Sequence, residues 1–422
     1  MHMEHTYWGY RSKYNIQLFL SCWVAYFSTY ICRLNFSVVM PELNKNGILS
    51  ETQMAAVSSA FFICYGIGQL FSGRLGDQYS PRIMVFIGTS VSALSNIGIF
   101  FFHTSYTALL LLWAINGIVQ SLVWSPILRI AGDYFDNREK EKFGSDISTT
   151  VPLGTLASYG VSLITLMLLP WHYTFLTCGI CTLTASLFWM NETKKLHLYK
   201  NEEADKNQNP SKRTEILWKD FIKISFAAGI FILFIPIAIQ GTLKDSVTQW
   251  LPTLFEDCFQ LGTDNSILFT MILPIVNVIG AYLSKALNKH IRNELKTSAV
   301  FFVISMFFLI LLLFSGLKNS LLALLCIAAI TTCMYAINVM LITMVPLYFN
   351  QYGCVSTMGG LLNASAYIGC GLLNLAAGKV LKNEAASWNT LFIFWLLLCI
   401  IAILFTCICA VIWKKFKIKQ TA

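Results

Sequence analysis

The chain has 422 residues, 56% of them hydrophobic and 12% charged, with a mean hydropathy of +0.62 and a formal net charge of +9. A soluble domain carries about 25% charged residues, so this chain lacks the charge to cover a water-facing surface and reads as an integral membrane protein. Its basic residues concentrate in connecting segments and at the ends, which makes the positive balance a topology signal and excludes a nucleic-acid partner.

Residues 1–14 are polar, and the apolar segment after them is too long for the core of a cleavable signal peptide. Twelve spans follow, at roughly 15–40, 52–72, 83–103, 106–132, 144–168, 171–190, 221–252, 265–287, 297–316, 319–345, 353–378 and 388–413. Lys and Arg gather on one side. They lie in the N-terminal segment, in the loops with Arg74 and Arg82, with Arg138, Lys140 and Lys142, and with Lys285, Lys289, Arg292 and Lys296, and in the tail from Lys414 to Lys419. Lys45, Lys318, Lys379 and Lys382 lie on the other side. This bias predicts a multi-pass protein of the cytoplasmic (inner or plasma) membrane with both termini in the cytoplasm.

One polar, charged segment, residues 191–217, interrupts the apolar pattern. It divides the chain into an N-terminal six-helix half (1–190), a cytoplasmic linker (191–217) and a C-terminal six-helix half with a short basic tail (218–422), the organisation of a transporter built from two pseudo-symmetric halves. The 13 cysteines are scattered and show no metal-ligand spacing. No nucleotide-binding loop, zinc motif or nucleophile elbow occurs. The expectation is a protein that is not an enzyme and uses no metal or cofactor.

The Lys and Arg residues inside spans carry the functional signal, because a charge within the bilayer marks either a polar pathway or a structural pair. Arg33 lies three residues after Tyr30 and seven after Tyr26, so the three share one helix face, with Ser37 below them. A stripe of hydroxyls leading to a guanidinium suits a hydrated cavity that binds an anion. The other reading is an arginine paired to an acidic residue or to carbonyls between helices, and spans 1–3 contain no acidic residue. Lys244, in the first span of the second half, takes the corresponding position. It is expected either to pair with Asp245, which is turned about 100° away on a helix, or to face Arg33 and share a divalent oxyanion with it. Arg129, one turn before Asp133, reads as an i, i+4 ion pair. Tyr65 with Gln69, Asn116 with Gln120 and Trp124, Tyr335 with Asn338, and Asn363 with Tyr367 add polar groups to other spans. Each can bond between helices, and together they suggest a wet interior.

Two stretches carry a resemblance. "GRLGDQYSPR" (73–82) resembles the loop motif of the major facilitator superfamily, with Gly73, Asp77 and Arg82 in place. Pro81-Arg82, together with "YICRLNFSVVMPEL" (30–43), is similar to the organophosphate:phosphate antiporter family of glycerol-phosphate and hexose-phosphate transporters, and "WSPILRIAGDYFDNREKEKFGS" (124–145) and "LKDSVTQWLPTLF" (243–255) look like its fourth and seventh spans. The resemblance implies an all-α major facilitator fold of twelve transmembrane helices. Arg33 then matches the first phosphate-binding arginine of the family. Lys244 stands where the second is usual, and Tyr26, Tyr30, Tyr65 and Tyr367 match cavity tyrosines. Gln69 replaces a frequent lysine and joins the substrate-binding set. Leu34 also stands where a lysine is frequent, so the site is less cationic than in the familiar members. Asp77, Arg82, Arg129 and Asp133 are expected to gate or brace the cytoplasmic side.

The implied function is secondary active exchange of a small organic phosphate ester for inorganic phosphate by alternating access. The alternative is a proton-coupled symporter of an organic carboxylate or sugar acid, with Asp133 or Asp245 carrying the proton. The expected partners are a small anionic metabolite, inorganic phosphate and the lipid bilayer, and the chain is expected to act as a monomer.

Overall fold

The computed structural model describes residues 8–45, 47–196, 218–259, 263–315, 318–381 and 388–421. Within the bilayer every backbone N–H and C=O must be satisfied inside its own segment, which an apolar chain achieves as helices. Among the described residues the fold is all helix. The first seven helices are α1 (Lys13–Lys45), α2 (Glu51–Gln78), α3 (Pro81–Phe101), α4 (Tyr106–Tyr134), α5 (Asn137–Ser148), α6 (Thr150–Leu168) and α7 (Tyr173–Lys195). Then come α8 (Trp218–Ala227), α9 (Ile230–Phe259), α10 (Thr263–Ile291), α11 (Glu294–Ser315), α12 (Ser320–Asn338), α13 (Val355–Leu381) and α14 (Trp388–Thr421). Taking α5 with α6 and α8 with α9, these occupy the places of the twelve spans. Nine of the spans among the described residues are long and apolar enough to cross a membrane by length and composition, or ten with the bent pair α8–α9. Most of the linker predicted at 191–217 lies outside the described residues.

Local sequence fixes the helix starts. Ser50 with Gln53, and Asp136 with Glu139, form reciprocal capping boxes at α2 and α5. Pro81 opens α3, where its missing N–H costs nothing. Two departures from plain spans stand out. The seventh span is broken: α8 and α9 meet at 71°, and Gly229 at the break has a φ of 76°, which glycine tolerates and other residues resist. The tenth continues past Asn338 as a π-helix, Val339–Met344.

The chain divides into two compact units, Met1–Ile216 with Pro346–Ala364, and Leu217–Val345 with Ser365–Ala422. In the first unit α4 packs on α2 and α3, and α1 packs on α6 and α7. Small residues permit the close approach: a Cβ on Gly117 would meet the Phe61 carbonyl oxygen at 2.5 Å, and one on Gly154 would meet Tyr30 Cβ at 2.7 Å. Hydrogen bonds reinforce it, Asn35 donating to Asn96 at 2.8 Å and Ser158 to the Ile31 carbonyl at 3.1 Å. The N-terminal segment is clasped to α5. Asn15 donates to both Glu139 oxygens at 2.9 Å, and the Tyr10 hydroxyl donates to Asp146. Burial, with the Asp146 carboxylate beside it, holds the Tyr10 phenol well above its ordinary pKa.

In the second unit α11 packs on α12 and α14, and α9 on α12 and α14. Asn277 on α10 accepts hydrogen bonds from Thr331 and Thr332 on α12. Glu294 receives Trp413 Nε1 at 2.8 Å and Lys417 Nζ at 3.0 Å.

Candidate anion-binding groups

Arg33 lies on the mid-length of α1 and is 6% exposed. Its Nε donates to Gln120 Oε1 at 2.9 Å. Its guanidinium carbon lies 4.6 Å from the ring centroids of both Tyr30 and Tyr65 and 5.6 Å from that of Phe61. The cation is thus set between aromatic faces from α1 and α2, each worth about 0.5–2 kcal/mol depending on desolvation. The stripe read from the sequence is present: Tyr26 and Tyr30 join hydroxyls at 3.3 Å, and Tyr26 packs on Trp124 at 4.7 Å. Ser37 donates to the Leu34 carbonyl at 2.6 Å. Trp124 Nε1 is buried with no hydrogen-bond partner among the described residues.

Gln69 adjoins this group through Tyr65, with which its side chain shares a hydrogen bond. Its Nε2 donates to the Ser121 carbonyl at 3.0 Å and its Oε1 accepts from Ser125 at 3.0 Å, so both ends of the amide hold α2 to α4. Tyr65, one turn earlier, receives Asn363 Nδ2 at 3.5 Å.

Lys244 on α9 is 5% exposed. Its Nζ lies 3.5 Å from Asp245 Oδ1, 5.7 Å from the Tyr335 ring centroid and 5.9 Å from that of Tyr367. The 100° between adjacent helix positions does not prevent the pair, because the long lysine stem curls back along the helix. One turn before Lys244, Gln240 donates to the Met334 carbonyl at 3.0 Å, while its buried Oε1 has no partner among the described residues.

The residues expected to brace or gate fall into the first unit. Arg129 pairs with Asp133 at 3.3 Å, as the i, i+4 spacing predicts, and its Nη1 donates to the Gly76 and Tyr79 carbonyls at 2.7 and 2.8 Å. It thereby ties the end of α4 to the end of α2. Arg82 links α3 to α7 through Thr193 and the Met190 carbonyl. Asp77 accepts the backbone N–H of Ser356 at 2.9 Å and of Thr357 at 2.7 Å, at the start of α13. A carboxylate there satisfies orphan donors and meets the positive end of the helix dipole. Close by, a Cβ on Gly360 would meet Gly73 Cα at 2.6 Å, so the glycine of the loop motif is needed for this approach.

Sequence reasoning named Gln120 and Tyr335 only as polar groups in spans and left Phe61 out. The signal for Gln120 is the spacing of four that joins Asn116, Gln120 and Trp124 on one helix face. Phe61, four residues before Tyr65, carries no polar mark of its own.

Comparison with known proteins accounts for the architecture. The family model described as Major Facilitator Superfamily matches residues 19–373. The chain is 23% identical to the glycerol-3-phosphate transporter of Bacillus subtilis (strain 168), over 96% of this chain and 94% of that protein. It is 31% identical to a probable hexose phosphate transport protein of Chlamydia trachomatis, over 36% of this chain and 32% of that one. It is 32% identical to the membrane sensor protein UhpC of Escherichia coli (strain K12), over 26% of this chain and 25% of that one. Among solved structures, the proton:xylose symporter XylE bound to 6-bromo-6-deoxy-D-glucose shares the fold, with a TM-score of 0.72 at 14% identity over 94% of this chain and 96% of that chain. The chain is an integral multi-pass membrane protein of the Major Facilitator Superfamily, and its relatives are those of the organophosphate:phosphate antiporter family.

Proposed function

We propose that this transporter exchanges a small organic phosphate ester for inorganic phosphate across a bacterial cytoplasmic membrane, with both termini in the cytoplasm. The observation that carries the reading is Arg33, a guanidinium buried within a span and held by a neutral amide and aromatic faces. Such partners fix the position of the cation, and a buried guanidinium offers a planar fork that suits a phosphoryl group. Lys244 in the second unit contributes the second cation. Tyr26, Tyr30, Tyr65 and Tyr367 hold the organic part, and Asp77 with Arg82, Arg129 and Asp133 braces the cytoplasmic end. An anion bound beside a buried cation offsets part of the cost of keeping that charge out of water. Occupied carrier therefore reorients more readily than empty carrier, which makes exchange obligatory. The similarity to a glycerol-3-phosphate transporter and a probable hexose phosphate transport protein supports the same substrate class. Proteoliposomes loaded with inorganic phosphate test it: external labelled phosphate or glycerol phosphate enters them, and enters empty vesicles far more slowly. Equal, slow entry into both sinks the reading.

A second reading has one observation in its favour, the Asp245 carboxylate 3.5 Å from Lys244. A carboxylate so placed could carry a proton with an organic anion. Uptake driven by an imposed pH gradient into vesicles without internal phosphate would favour that symport.

A further inference from the structure

The polar cluster between α1, α3 and α4 is more than helix glue. Gln120 Nε2 lies within hydrogen-bond distance of four oxygens: the Thr29 carbonyl at 3.1 Å, the Cys32 carbonyl at 3.3 Å, Ser92 Oγ at 2.9 Å and Asn116 Oδ1 at 3.1 Å. Only the NH₂ end of an amide donates, so this ring of acceptors decides which way the amide points. Its Oε1 is thereby turned to Arg33 Nε. The acceptors are themselves fixed. Asn116 Nδ2 donates to the Cys32 carbonyl at 2.7 Å, Ser92 donates to Asn116 Oδ1 at 2.6 Å, and Asn96 Nδ2 donates to the Ser92 carbonyl at 3.0 Å. Gln120, Ser92, Asn96 and Asn116 are all fully buried. A network this well satisfied has one stable arrangement, and every hydrogen-bonding group in it is neutral.

We infer that Gln120 is a positioning residue for anion recognition. By accepting from Nε it fixes the plane and direction of the Arg33 guanidinium, and by being an amide it does so without neutralising the charge. Aspartate or glutamate at this place would also accept from Nε but would set a negative charge beside the guanidinium, so the neutral glutamine favours an anionic substrate. The inference rests on the proposed role of Arg33 in binding phosphate or a phosphate ester.

The test is inorganic phosphate binding to the purified full chain in lipid nanodiscs, by calorimetry, for the native protein and Q120E, Q120M and R33A. Q120E adds a negative charge beside the anion, and phosphate affinity is expected to fall about 30-fold or more. The loss is expected to shrink from about pH 8 to about pH 6, because phosphate gains a proton over that range and its repulsion by the new carboxylate halves. A purely structural defect has no reason to follow the charge of the probe. Q120M keeps the size, removes the acceptor and adds no charge, and about a tenfold loss with no such trend is expected. If Q120E folds poorly, Q120M decides alone. A folded Q120E or, failing that, a folded Q120M that binds phosphate within about threefold of the native protein overturns the inference. Native protein that binds phosphate no better than R33A overturns the anion reading itself.

Discussion

Each unit buries one cation against tyrosine rings inside its helices, but the two are held differently. Arg33 is held by Gln120, an amide from another helix whose orientation is set by a neutral network. Lys244 has a carboxylate beside it on its own helix, Asp245, which is 24% exposed at the side chain, and a glutamine, Gln240, whose buried carbonyl oxygen has no partner among the described residues. The first arrangement fixes the direction of a planar fork through a neutral amide. The second carries a compensated charge on a flexible stem. A fork fixed in direction recognises a phosphoryl group by geometry, whereas a compensated ammonium contributes charge only as far as its carboxylate yields. On the proposed function, most of the substrate discrimination is expected from the first unit.

Removing Arg33 breaks the comparison most directly. R33A is expected to lower phosphate exchange in proteoliposomes by about 30- to 1,000-fold, the range for truncating one member of a buried charge-assisted contact. Exchange within about threefold of the native rate, at equal protein incorporation, would make Arg33 a packing residue. R33K is the milder form. Lysine keeps the charge but loses the fork and cannot reproduce the Nε bond to Gln120, so about a tenfold rise in KM is expected with kcat less affected.

In the second unit the informative change is D245N. If Asp245 competes with the substrate for Lys244, phosphate binding tightens by about three- to tenfold, consistent with the ~1 kcal/mol of a partly exposed pair. If Asp245 instead carries a proton, the mutant loses any uptake driven by a pH gradient while exchange against internal phosphate persists. Unchanged affinity together with an unchanged response to pH would show that the pair only fills space.

How much of this was legible follows from the range of each interaction. Arg33 and its tyrosine stripe could be read because they lie on one helix, where spacing fixes the face. The Arg129–Asp133 pair was legible for the same reason. Gln120 as the partner of Arg33 was not, because the contact joins positions 87 residues apart. The contacts of Gln69 with Ser121 and Ser125 were hidden for the same reason, since they join positions 52 and 56 residues apart. The broken seventh span was hidden because Gly229 gives no apolar signal, and the helix bends where only its φ of 76° reveals it. The Lys244–Asp245 contact, one of two readings left open for Lys244, is present at 3.5 Å, and it leaves the lysine's part in anion binding as a proposal.

The smallest expected effect gives the finest test of the asymmetry. K244R makes the reverse of the R33K exchange, replacing an ammonium by a guanidinium. The rings of Tyr335 and Tyr367 accept either cation on their faces, and Asp245 can pair with either. Ring faces and a carboxylate demand charge more than a particular cation shape, so a guanidinium can take the place of the ammonium. Phosphate exchange by K244R is therefore expected to stay within about threefold of the native protein in both KM and kcat, while R33K shows about a tenfold rise in KM. Measured side by side in the same vesicles, the two swaps should give unequal losses. Equal losses would mean that both units read the phosphoryl group by geometry, and a larger loss in K244R would move the discriminating cation to the second unit.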